Sequence, residues 1–97
     1  ELPVVRTRRL EIVDERGRVR SRINVESNGE VVLRMTGRSG DIRVKLGADE
    51  DGSGLLLLDE TTAPGVHIMA RRTATADRSR TTSVALHSGT RSQMLRP

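Results

Sequence analysis

No cysteine occurs in the 97 residues of this chain, and no phenylalanine, tyrosine or tryptophan. The first absence excludes disulfides, thiolate zinc sites and a cysteine nucleophile. The second removes the side chains that usually bury the most surface, about 150–250 Å² each. A core must then be assembled from Val, Ile, Leu, Met and Ala, in a chain that is only 34% hydrophobic. Cores this thin are often completed by another chain. Long apolar runs are missing too. The longest is Leu55–Leu58, far below the roughly 20 residues of a membrane-spanning helix, so no membrane partner is expected. The opening ELPVVRTRR does not read as a signal peptide, and nothing in the sequence indicates a compartment.

Lysine is nearly absent as well. The chain has sixteen arginines and the single Lys45, a net charge of +4 and a pI near 11.2. A charge of that size is a modest attraction toward polyanions and does not define a nucleic-acid binder.

The pattern that is present repeats. Leu10–Ile23 (LEIVDERGRVRSRI) lies over Leu33–Leu46 (LRMTGRSGDIRVKL) at an offset of 23, with Gly17 on Gly40 and Val19 on Ile42. A third copy begins at Leu55 with a longer turn (LLLLDETTAPGVHIM), and a weaker fourth runs from Thr82 to Leu95. Each alternates apolar and polar residues with a period of two, the mark of a half-buried strand. Turn signals such as Asn28-Gly29 and Asp51-Gly52 separate the copies. The expectation is a single all-β domain over 1–97. Four hairpins, about 8–25, 31–47, 54–70 and 82–95, form an antiparallel meander of about eight strands, with a polar connection over 71–81. The architecture is prism- or solenoid-like, or a sandwich or barrel if one chain suffices.

Loops of four residues, Asp14–Gly17 and Gly37–Gly40, would set Ile12 opposite Val19 and Met35 opposite Ile42. Glu11 would then face Arg20, and Arg34 would face Arg43. Leu55 and Leu57 would pair with Ile68 and Val66. In the fourth copy, a His87-Ser88-Gly89 loop would bring Val84 and Leu86 near Ser92 and Thr90. On this register Ile12, Val19, Leu33, Met35 and Ile42 are buried, together with Val44, Leu55, Leu57, Val66 and Ile68. Arg18, Arg20, Arg22, Arg43 and Lys45 point the other way.

The chemistry-bearing motifs are sparse. GADEDGSG lacks the spacing and flanking helices of a calcium loop. His67 alternates outward on a strand and His87 lies in a turn, neither with a second ligand at coordination spacing. No nucleophile elbow or phosphate-binding glycine loop is present. No cofactor, metal site or enzymatic activity is expected. Two features remain. Arg18, Arg20, Arg22 and Arg43, with Arg71 and Arg72, form a candidate surface for phosphate or sulfate groups, or an ordinary solvated face. Leu56 and Leu58 point away from the expected core and are candidates for an oligomer interface, or for the second layer of one packed monomer.

The core pattern L-x-I-V-D-x-x-G-x-V-R-x-x-I at Leu10–Ile23 resembles the hairpin repeat of short, uncharacterised bacterial β-hairpin-repeat proteins. The likeness covers about residues 8–70 and fades after Met69. Stacked hairpins of this kind are also similar to the β-prism and triple-β-helix shafts of trimeric fibre proteins. That similarity implies an oligomeric scaffold, a homotrimer first and a dimer second, and transfers no functional residue. The leading expectation is therefore a non-enzymatic structural module that assembles with itself. A weak polyanion-binding module, for nucleic acid or sulfated glycan, is the alternative.

Overall fold

The computed structural model describes residues 3–72 and 80–97. Its strands are β1 (Arg9–Val13), β2 (Val19–Val25), β3 (Val31–Thr36), β4 (Ile42–Asp49), β5 (Gly52–Leu58), β6 (Pro64–Arg72), β7 (Arg80–Ser88) and β8 (Arg91–Leu95). They form one antiparallel sheet in sequence order, β1 to β8, open at both edges. The four expected hairpins are present, and no helix occurs among the described residues. Residues 71–72 and 80–81, expected in the polar connection, extend β6 and β7. The rest of that connection, 73–79, lies outside the described residues.

Four turns share one geometry. Asp14, Glu26, Gly37 and Asp59 each donate their N–H to the carbonyl four residues on, and each accepts a bond from the residue three on. That third residue is left-handed: Gly17, Gly29, Gly40 and, in the third copy, Thr62 with φ 66°; the turn of that copy, expected to be longer, has the same length as the others. Glycine adopts this conformation without steric cost; threonine does not. The loops are thus three residues long, one fewer than the spacing suggested.

Three β-bulges follow from that difference. With a three-residue loop and no further adjustment, Ile12 would oppose Arg20 and Met35 would oppose Arg43. Apolar and charged side chains would then share a face. Instead the register shifts by one residue immediately after the turn. Val13 pairs with Val19 but Ile12 with Ser21; Thr36 with Ile42 but Met35 with Val44; Leu58 with Pro64 but Leu57 with Val66. The extra residues are Arg20, Arg43 and Gly65, and the bulges restore the apolar alternation. Several expected pairs are corrected accordingly. Glu11 faces Arg22 rather than Arg20, and Arg34 faces Lys45 rather than Arg43. The pairs Leu55–Ile68 and Leu57–Val66 stand as expected. In the last hairpin the turn is only Gly89-Thr90, so Val84 faces Leu95 and Leu86 faces Gln93.

The largest correction concerns the core. Ile12, Met35, Leu57 and Ile68 are 60%, 45%, 37% and 40% exposed, and Val19 is exposed as well. Leu33, Ile42, Val44, Leu55 and Val66 are only half-buried. Among the described residues, Val32 and Ala85 are the buried apolar side chains. The alternation sorted most residues between faces, but Val19 and Ile42, expected beside Ile12 and Met35, pair instead with Val13 and Thr36 and lie on the opposite face with Arg22 and Arg34. Burial itself needs a second layer, and one sheet cannot cover itself.

Candidate functional site

The dominant surface is one face of the sheet. Following the register, a continuous line of apolar residues crosses all eight strands. It starts at Leu10, passes through Ile23, Leu33, Leu46, Leu55, Ile68 and Val84, and ends at Leu95. A second line lies beside it, from Ile12 through Met35, Val44, Leu57 and Val66 to Leu86; Ser21 and Gln93 are its polar members. With eight strands about 4.8 Å apart, the stripe is some 34 Å long.

Two global measures are those of a single open layer rather than a compact domain. The radius of gyration is 16.2 Å, against about 13 Å for a compact domain of this size. The accessible surface is 7917 Å², about 2,400 Å² more than a compact monomer of this mass exposes. Monomeric proteins rarely show an apolar patch beyond about 300–600 Å².

The opposite face is polar. Its central line runs Glu11, Arg22, Arg34, Lys45, Leu56, His67, Ala85 and Met94. Leu56 therefore sits between Lys45 and His67, half-buried on the polar side, and alternation puts Leu58 on that side too. Val32 is flanked there by Asn24 and Gly47, and Ala85 by His67 and Met94. Gly47 faces Gly54 across β4 and β5, leaving a shallow cleft of about 160 Å³ bordered by Glu30, Lys45, His67 and Arg71.

The arginines singled out from the sequence are not gathered into one patch. Arg18 donates to Asp14 at 2.9 Å, and Arg20 lies 3.6 Å from the same carboxylate while donating to the Thr36 carbonyl. Arg22 donates to Asn24, and Arg43 reaches the Glu60 carbonyl at 3.5 Å. Arg71 and Arg72 pair with Asp49 and Asp51 at the other end of the strands. Arg34, not singled out beforehand, is the most enclosed of the paired arginines, held by Glu26 with one guanidinium nitrogen, Nη1, buried without an acceptor.

Local hydrogen bonds also set the acidity of three carboxylates. Partial burial raises Asp14, but N–H donors from Arg18 and Arg16 and the Arg18 side chain outweigh it and hold the group below its ordinary value. Bonds from Arg34 and Asn24 lower Glu26. The Thr61 hydroxyl, with the Ala63 and Thr61 N–H groups, lowers Asp59. The Asp14 and Asp59 carboxylates anchor their turns through these N–H bonds, whereas that of Glu26 ties together side chains of β2 and β3.

No family model, curated protein or solved structure matches the chain. The functional reading therefore rests on geometry. Among the described residues, no three His, Asp or Glu side chains are placed to hold a metal ion, and no helix is long and apolar enough to cross a membrane. The uncovered face was half legible in the sequence: the alternation named its residues, while the missing second layer was foreshadowed only by the lack of aromatics.

Proposed function

We propose that this protein is a non-enzymatic structural module whose working form is a homo-oligomer, a β scaffold completed by copies of itself. The observation that carries this reading is the apolar stripe from Leu10 to Leu95, exposed or half-buried along its whole length. The chain as a whole exposes about 2,400 Å² more than a compact monomer of its mass, and obligate oligomer interfaces bury about 2,000–5,000 Å² in total.

Three copies suit these dimensions. Packed sheets stand about 10 Å apart, so each sheet of a three-sided assembly lies about 5 Å from the shared axis. Each side is then about 17 Å wide, or five residues of strand. The strands here contain 5–9 residues, and the stripe runs along the direction such an axis would take. A two-layer dimer is the second arrangement.

Sedimentation equilibrium across micromolar concentrations is the test. The expected result is a defined oligomer whose melting temperature rises with protein concentration, because association and folding are linked. A stable monomer at these concentrations overturns the proposal.

A further inference from the structure

We infer that the copies meet only through the apolar face, and that the edges β1 and β8 are built to refuse one another, so that the assembly stops at a finite size. This rests on the self-association proposed above and adds which surface of the partner copy is used.

An open sheet has two edges with unpaired backbone groups, each a template for another strand. Here the hazard is acute. Strand order is strictly sequential and the hairpins repeat, so β1 of a second copy would continue the pattern if it added to β8. Growth of that kind is head-to-tail and yields rings or open filaments.

The register shows what such a junction would contain. To keep both apolar lines continuous, Leu95 must lie beside Leu10 of the next copy, and Gln93 beside Ile12. Antiparallel pairing then sets Arg96 directly opposite Arg9. Like charges in that position are destabilising. Arg8, next to Arg9, adds positive charge to the same corner. Glu11, the one acid within β1, is already paired with Arg9 on its own strand. Arg91 would meet Asp14, but that carboxylate is occupied by Arg18, with Arg20 nearby. The face has no such obstacle. Its two lines carry aliphatic side chains on every strand, with Ser21 and Gln93 alone polar, and the charged residues of the central line turn the other way.

The experiment measures assembly mass by sedimentation velocity for the wild type, Leu46→Glu, Ser92→Lys and Arg96→Glu. Leu46 lies mid-stripe and is 45% exposed in the single chain; Ser92 lies on edge strand β8. Expected is one wild-type oligomer of constant mass once concentration exceeds dissociation, monomer for Leu46→Glu and the wild-type mass for Ser92→Lys. Arg96→Glu, which would place a carboxylate against Arg9, is expected to scatter as longer assemblies at low salt. Circular dichroism confirms that each variant retains its strands. Mass that grows steadily with wild-type concentration overturns the inference, as does dissociation by Ser92→Lys with Leu46→Glu unaffected. Arg96→Glu keeping the wild-type mass overturns the charge account of the edges. A monomeric wild type is a different failure, that of self-association itself.

Discussion

Arg20 and Arg43 occupy the same place in successive hairpins: each is the unpaired residue of a β-bulge directly after a three-residue turn. The bulge, rather than the arginine, is what matters, because it absorbs one extra residue between the turn and the apolar alternation. Deleting Arg43 should therefore remove the bulge, leave Met35–Val44 and every pair beyond it in place, and cost about 1 kcal/mol or less. Deleting Lys45, a paired residue, should cost about 4 kcal/mol or more, since every residue of β4 beyond it would change face. Chemical denaturation of the two variants is the check; equal losses would show that the bulge does not set the register.

Thr62 stands where three sister turns carry glycine, at a φ of 66°. A β-branched residue is strained there. Thr62→Gly should stabilise the protein by about 0.5–1 kcal/mol, the relief of strain being partly offset by the greater freedom of glycine in the unfolded chain. The reverse change, Gly17→Thr, should destabilise by a similar or larger amount. Thermal melts of the pair decide the matter.

Adjacent leucines on β5 give a test of which face makes the contact. Leu57 belongs to the apolar stripe, whereas Leu56 lies between Lys45 and His67. Leu57→Glu should convert the oligomer to monomer, because a carboxylate without a partner would be desolvated at the contact. Leu56→Glu should leave the mass unchanged, its new charge lying beside Lys45. Dissociation by Leu56→Glu alone would move the interface to the polar side.

Acid should loosen the turns. Asp14, Glu26 and Asp59 are held below their ordinary values of 3.8, 4.5 and 3.8. A carboxylate whose pKa is depressed by folding adds stability that is fully present above its unfolded value and is lost as pH falls through its folded one. Stability is thus expected to be level from pH 7 to about 5 and to decline below about 4. Asp59→Asn keeps a side-chain carbonyl for the turn while removing the ionisation, so it should flatten part of that decline. Urea midpoints at stepped pH measure both.

Period-two alternation in four segments was enough to read the strands and their order, because a meander needs only neighbouring hairpins; it set most apolar residues on one face but misplaced Val19 and Ile42, which lie opposite Val13 and Thr36. Register was harder. Gly17 and Gly40 signalled turns, but the three-residue loop and its compensating bulge are two displacements that nearly cancel, so the apolar pairing looked plausible one residue out. The ion pairing of the arginines was not legible at all. Alternation placed several of these residues on one face, yet it says nothing of the carboxylates that claim them. Asp14 binds Arg18 through a turn, and Asp51 binds Arg72 across 21 residues. Burial was misread for a simpler reason: an apolar side of a strand looks the same whether or not anything covers it.

In this sheet every strand touches only the strands before and after it in sequence. Such a chain behaves as a one-dimensional array, its stability a sum of units and of junctions between neighbours. The consequence concerns how the molecule can arise and change. Folding can begin at any hairpin and spread without waiting for distant segments to meet, which favours speed. A duplicated or lost unit of the 23-residue repeat lengthens or shortens the scaffold while leaving every remaining junction intact. Length thus becomes a quantity that evolution, or an engineer, adjusts in whole steps.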